Sequence, residues 1–428
     1  MPKRAGPCRP GHDRGHSAPG AATPDGWVRT VTPAPAQRRT LILVLGSMSA
    51  FGALSFDMYL PAFPTIAADL RVSPAAVQLT LTVALIGIAL GQFVMGPLSD
   101  RWGRRRPIIA GTALFFVSSA LITVAPNIET MTALRLVQGF AGGIGIAISR
   151  AVVRDLYSGA EASRFFSRLT LVFGVAPVVA PTIGAAVLEF TSWRGVFALL
   201  ALYGLIMVGV GWRFLPETLP VERRRTGGLA EVGRGFKVLA ADRRFWGYTA
   251  AQGLTFAGLF AYLSSGSFVL QEVYGVSAQA YGLIFGMNAL GLVAVGQLNA
   301  RLVGRRTPRA LLFAALAGAV AAGILMIGGA GLHSLTIVVA MLFVYIASLG
   351  MVAPNSTALA LDGHAQMAGT AAALMGAVQS AIGAIAGPIV AALGASSGVP
   401  MAAAMFGFAA LSVVTATVLT RPGQPKLA

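Results

Sequence analysis

Charge is what this sequence has least of. Only 11% of its 428 residues are Asp, Glu, Lys or Arg, while 56% are hydrophobic. Soluble domains carry roughly 25% charged residues, so a water-soluble globule of this size is excluded. Acid is scarcer than base, with 15 Asp and Glu against 32 Lys and Arg. A single cysteine, Cys8, excludes an intramolecular disulfide. No Cys and His set has metal spacing, and there is no Walker loop, HExxH or GxSxG elbow. Neither an enzyme, nor a cofactor, nor a resident metal, nor ATP-driven transport is expected.

What the chain does have is apolar runs of roughly twenty residues, each long enough to cross a bilayer as a helix. Twelve recur: 41–63, 76–98, 107–125, 130–151, 165–189, 194–215, 245–271, 280–302, 309–330, 333–355, 368–393 and 399–420. Backbone groups in lipid must bond within their own segment, which makes helices the default. The net charge of +17 could suggest nucleic acid, but its distribution argues for topology. With the N-terminus inside, all but three of the 32 Lys and Arg fall on the inner side; Arg71 and Arg194 lie outside, and Arg135 lies within a span. This positive-inside bias places both termini in the cytoplasm. No nucleic-acid partner is expected. Residues 1–40 are rich in Pro, Gly, Ala and Arg without apolar periodicity, and read as a disordered cytoplasmic tail. That stretch is too long for an ordinary signal n-region, so the first span is expected to remain as a helix.

The longest internal connection, 216–244, divides six spans from six. The expected organisation is a tail at 1–40, a six-helix bundle at 41–215, a cytoplasmic linker at 216–244, a second bundle at 245–421 and a short cytoplasmic tail at 422–428. Paired halves of this kind often repeat, and an echo is present. GPLSDRWGRRRP at 96–107 follows span 2, and GQLNARLVGRRTP at 296–308 follows span 8. Gly96, Leu98 and Arg101 match Gly296, Leu298 and Arg301, while Ala300 replaces Asp100.

GPLSDRWGRRRP resembles the loop signature that joins spans 2 and 3 in the major facilitator superfamily. RLVQG at 135–139 is similar to that superfamily's span 4 motif, and APVVAPTIG at 176–184, with Pro177, Pro181 and Gly184, to the span 5 motif of its drug-exporting antiporters. DMYLPAFP at 57–64 resembles the bicyclomycin-resistance and chloramphenicol-efflux group (Bcr/CflA-like). The resemblance covers about 41–420. It implies an all-α membrane protein of twelve transmembrane helices in two six-helix bundles. It also implies multi-pass insertion in the inner or plasma membrane and a bend in span 5 that seals against leakage. A monomer is expected.

Asp57 and Arg135 are the clear ionisable side chains deep in the first six spans. Counting helical rise, Asp57 lies about 10 Å and Arg135 about 8 Å from the outer end of its span. Lipid is a poor place for either, so both should face a central cavity. One reading is a structural pair joining spans 1 and 4. The other is that Asp57 takes and gives a proton, with Arg135 tuning it; the resemblance implies the same. Burial favours a neutral carboxyl and a guanidinium favours a charged one, so an acid between the two has both forms within reach. Gln138, on the same face as Arg135, either extends a polar patch or bonds a neighbouring helix. Tyr59, Gln252, Phe256, Tyr262, Asn288 and Asn355 are candidates for an aromatic wall with a few amides, suited to an uncharged or singly charged lipophilic ligand. Gly139 and Gly143 have GxxxG spacing, which lets helices approach closely.

The loop signature has a mechanical reading. Asp100, among Arg101, Arg104 and Arg105 and beside Gly96 and Gly103, ends span 2 on the inner side, where span 11 begins near Ala368 with its positive N-terminal end. An acid there would latch the two bundles when that side is closed. The leading expectation is a secondary transporter that exports small lipophilic compounds against protons. A metabolite transporter of the same fold, working by symport or uniport, remains open, as does a non-transporting membrane enzyme or receptor.

Overall fold

The structure, a computed structural model, describes residues 35–156, 176–220, 239, 241–362, 368–394 and 397–420. The described residues form thirteen α-helices and no named strand: α1 Pro35–Asp57, α2 Phe63–Leu70, α3 Pro74–Trp102, α4 Arg105–Ile122, α5 Ile128–Leu156, α6 Ala176–Phe190 and α7 Trp193–Phe214, then α8 Arg243–Phe268, α9 Ala278–Leu302, α10 Pro308–Gly331, α11 Leu335–Leu361, α12 Ala368–Leu393 and α13 Val399–Leu419. Together α1 and α2 make the first span, and α3 to α13 are the second to twelfth in order. Eleven spans are long and apolar enough to cross a membrane; the fifth is described only from Ala176 to Phe190. The rest of the 165–189 span, most of the 1–40 tail with Cys8, and most of the linker lie outside the described residues. Residues 35–40 of that tail are helical, α1 starting at Pro35, a residue suited to a first turn.

Side-chain caps start many of these helices. Ser73, Ser277, Thr307 and Ser334 each accept a backbone N–H bond from three residues on. The first span departs from the expected unbroken 41–63 helix. It stops at Asp57, passes through a 3-10 turn at Leu60–Ala62, and resumes as α2 to Leu70. Pro61 and Pro64 remove two backbone donors in succession, which an unbroken helix does not tolerate. The resumed helix is pinned by Asp69, whose Oδ2 accepts from Trp193 Nε1 at 2.9 Å and Arg194 Nη1 at 2.5 Å.

Within the first half, α3 and α5 meet along glycines. A Cβ on Gly139 would overlap the Ala84 carbonyl oxygen, and one on Gly143 the Ile88 carbonyl oxygen. Gly142 faces Gly52 of α1. These are packing contacts of the expected kind. Helices α8 to α13 pack among themselves in the same way, and the halves meet through a few elements: α2 and the 3-10 turn on α8, α3 on α12, and α6 on α9.

The ends of the two halves differ. On the side away from the 216–244 linker, Ser267 Oγ donates to Leu60 O at 2.6 Å and Gln271 Nε2 to Pro61 O at 3.1 Å. The rings of Phe63 and Phe268 lie 5.8 Å apart there. Between described residues, these are the hydrogen bonds that join the halves. The far side is therefore closed.

The α3–α5 contact gives a stability test. Gly407 has open space around it, so Gly407→Ala leaves thermal stability unchanged or raised by up to about 1 kcal/mol of helix propensity. Gly143→Ala forces two backbones apart and is expected to cost about 1–3 kcal/mol net. Thermal unfolding in detergent compares the two; equal melting temperatures would contradict the contact.

Candidate functional site

The break in the first span sets Asp57 at the last residue of α1, 6% exposed. Asp57 is the only buried carboxylate among the described residues. From the fifth span, Gly184 presses on the same break, where a Cβ would overlap the Met58 carbonyl oxygen. Pro181 and Val178 in turn approach Gly282 and Gly286 of α9, their carbonyl oxygens 3.1 and 3.0 Å from where a Cβ would stand. So α6 is wedged between the break and the second half. Pro177 lies at the edge of the described segment.

Arg135 is fully buried at the depth of Asp57, yet no ion pair joins them. Its guanidinium sits 4.3 Å from the Tyr59 ring centre, 5.8 Å from Phe56 and 5.9 Å from Phe197. Nη1 donates to Gln138 Oε1, and Gln138 Nε2 donates to Ser119 Oγ at 2.7 Å. Nε and Nη2 have no hydrogen-bond partner among the described residues. Phe56 and Tyr59 both turn their rings to Arg135, and Asp57, next after Phe56 at the end of α1, points about 100° from it around the helix. The Tyr262 and Tyr281 hydroxyls of the second half lie within electrostatic reach of Asp57. Gln138 bonds a neighbouring helix, one of its two expected uses, while also holding Arg135.

The second-half candidates separate into three places. Tyr262 and Asn288 stand together near Asp57, with Asn288 Nδ2 3.4 Å from Tyr262 Oη; Asn288 Oδ1 and Tyr281 Oη are buried without partners among the described residues. Gln252 and Phe256 are half-buried on one face of α8 toward α12. Asn355 is elsewhere. Its Nδ2 donates to Asn299 Oδ1 at 2.6 Å and Met351 O at 2.7 Å, clamping α11 to the linker-side end of α9. Tyr59 is committed to packing and to Thr80 Oγ1 at 3.1 Å.

The two loop echoes fold alike. Gly103 has φ 88° and Gly304 φ 98°, left-handed values that glycine adopts without strain. Beyond the turn the copies diverge. Arg104, nearly buried, donates from Nε to Asp155 Oδ2 at 2.8 Å and from Nη1 to Ser99 Oγ at 2.7 Å, and pairs with Asp100 Oδ1 at 2.6 Å. Glu217 accepts from the backbone N–H of Arg104 at 2.8 Å and of Arg105 at 3.3 Å. Burial opposes the Arg104 charge, but Asp155 and then Asp100 outweigh it and hold the guanidinium's pKa above its ordinary value. Asp100 is half-exposed and faces Arg104, Arg101 is exposed, Arg105 reaches Trp212 O at 2.6 Å, and Gly96 borders open space. Asp155 and Glu217 escape the motif reading. Their signal was their position, an acid at each of the two other first-half chain ends beside the basic loop.

The sequence pattern of the Major Facilitator Superfamily matches residues 45–388. The chain belongs to that superfamily. It is 37% identical to the uncharacterized MFS-type transporter YdgK of Bacillus subtilis, over 91% of this chain and 97% of the relative. It is 36% identical to a bicyclomycin resistance protein homolog of Haemophilus influenzae, over 89% and 96%. Among solved structures, a point mutant of the nucleoside transporter NupG aligns with a TM-score of 0.73 at 13% identity, over 90% of this chain and 98% of that one. Twelve spans in two six-helix bundles are thus the major facilitator fold, and the protein is a transporter rather than an enzyme.

In this facilitator the Arg104 cluster ties the linker-side ends of α3, α4 and α5 to the chain leaving α7. Removing one partner of a buried pair costs about 3–5 kcal/mol; Asp155 is partly exposed, so Asp155→Ala is expected at about 2–3 kcal/mol. Arg305→Ala, in the exposed copy of the loop, should cost under about 0.5 kcal/mol. Thermal unfolding of purified protein checks this, and equal losses would contradict the asymmetry.

Proposed function

We propose that this major facilitator exports small lipophilic compounds, including drugs, in exchange for protons, with Asp57 as the proton carrier. The observation that carries the reading is a buried carboxyl without a cationic partner among the described residues, set where the first span breaks and where both halves meet. A neutral carboxyl is tolerated there, while an ionised one requires water or a partner. Substrate entry from the open side would be coupled to release of the Asp57 proton to that side, the carboxylate left behind being met by Arg135, and re-protonation from the far side would restore the empty carrier. The two halves, 41–215 and 245–421, would rock about this site. The drug-resistance name of a relative over 89% of the chain supports the substrate class.

The distribution of Lys and Arg supports a plasma-membrane orientation with both termini and 216–244 in the cytoplasm, which a reporter fused at Ala428 reads as cytoplasmic activity. The far-side closure then corresponds to a cytoplasm-open carrier. In the opposite state Asp100 would leave Arg104 and meet the N-terminal end of α12, which is the latch reading of the loop. Arg135, parked among rings here, would approach Asp57 once the acid ionises. A working monomer needs no partner beyond substrate, protons and lipid.

Proteoliposomes test the proposal. Asp57→Asn should fold and bind substrate, yet lose drug-driven proton movement and uphill efflux at least about 100-fold per molecule. Arg135→Ala should retain exchange with a shifted pH profile. Normal proton-coupled flux in Asp57→Asn would sink the carrier role and leave Asp57 as a packing residue.

A further inference from the structure

Three uncharged side chains from three helices form a chain in the second half. Thr357 Oγ1 of α11 donates to Gln252 Oε1 of α8 at 3.1 Å. Gln252 Nε2 donates to Gln379 Oε1 of α12 at 3.1 Å. All three are half-buried. The chain ends at Gln379 Nε2, whose N–H groups meet no partner among the described residues.

The chain can run either way. Turning both amides over makes Gln252 Nε2 donate to the Thr357 hydroxyl and Gln379 Nε2 donate to Gln252 Oε1. Both internal bonds survive, because a hydroxyl gives or accepts and an amide has one edge of each kind. The free end then presents a carbonyl oxygen in place of an N–H. No charge appears in either arrangement.

An aromatic row leads away from this end. Gln252, Phe256 and Phe260 are four apart and share one face of α8. The Phe256 and Phe260 rings are 5.0 Å apart, and Phe260 meets Phe56 of the first half at 6.1 Å. Phe56 adjoins Asp57. On α12, Gly383 lies one turn beyond Gln379, and its missing side chain leaves room for the Phe256 ring, 3.1 Å from where a Cβ would stand.

We infer that Gln379, with Gln252 and Thr357 behind it, is a reversible hydrogen-bonding subsite that favours aromatic compounds bearing an amide, carbonyl or hydroxyl group over those with no hydrogen-bonding group. The ring of such a compound lies along Phe256, and its polar group meets whichever edge Gln379 turns toward it. A donor and an acceptor are therefore served by one site, and a cation that carries no hydrogen-bonding group gains nothing from its amide edge. The inference rests on the export reading, since it specifies the cargo of that same cavity.

Equilibrium binding to purified protein tests it without any proton movement. The probes are chloramphenicol, an uncharged aromatic amide with hydroxyls, and tetraphenylphosphonium, a cation with no hydrogen-bonding group. Gln379→Met, which keeps length and removes both edges, is expected to weaken chloramphenicol at least about fivefold, the loss of one good hydrogen bond. Its affinity for tetraphenylphosphonium should stay within about twofold on the same scale. Thr357→Val should weaken chloramphenicol in the same sense, and it decides the matter if Gln379→Met does not fold. Parallel weakening of both probes, an unchanged chloramphenicol affinity, or no chloramphenicol binding by the unmodified protein overturns the subsite. Loss of the Asp57 proton role would leave this split intact, so the two readings fail separately.

Discussion

A helix broken inside an apolar bundle leaves backbone carbonyls that lipid cannot satisfy. Here the break follows Asp57, and the carbonyls of Leu60 and Pro61 are met by Ser267 and Gln271 from the opposite half. The same two hydrogen bonds close the far side. Satisfying the break and shutting that side are therefore one event. Opening the far side strips both carbonyls, and water must replace the lost donors at the moment a path to that side appears. Under the proposed carrier role, the acid beside the break would be wetted in one state and dry in the other, and the backbone bonding of the break would link that hydration to opening of the far side.

Arg135 fits this arrangement better as a reserve cation than as a standing partner. A guanidinium gains roughly 0.5–2 kcal/mol from each well-placed ring, and Tyr59, Phe56 and Phe197 surround this one. Gln138 fixes its orientation from the same helix, and Ser119 fixes Gln138. The Arg104 cluster at the other end behaves differently. It is built of full ion pairs and welds the linker-side ends of the first half into one body, while Asp100 stays half-exposed at its edge.

Much of this was legible in the sequence, because lipid imposes simple rules. Span length, the Lys and Arg bias and the repeated GPLSDRWGRR and GQLNARLVGRR loops led to the helices, the two halves and the paired glycine turns at Gly103 and Gly304. The depth match of Asp57 and Arg135 was also readable from helical rise. Direction was not. Which way Asp57 points depends on where Pro61 and Pro64 stop the helix, and the unbroken 41–63 reading hid that. Asn355 looked like a cavity amide, but its partner Asn299 is 56 residues away in sequence and lies at a loop end rather than a cavity wall. Gln379 and Thr357 gave no signal at all. Their meaning lies in a three-helix meeting that no periodicity encodes. Asp155 and Glu217 gave only a positional signal, since each is an ordinary acid at a chain end until folding brings it to Arg104.

The central claim is that substrate and proton compete through Asp57, and proton release on binding measures it most directly. Purified protein in weakly buffered solution is mixed with saturating chloramphenicol at a series of pH values, and the pH change is read with an indicator dye. The account predicts release by the unmodified protein over a limited pH range, and none by Asp57→Asn that still binds the compound. Equal release from both proteins would place the proton elsewhere and contradict the account.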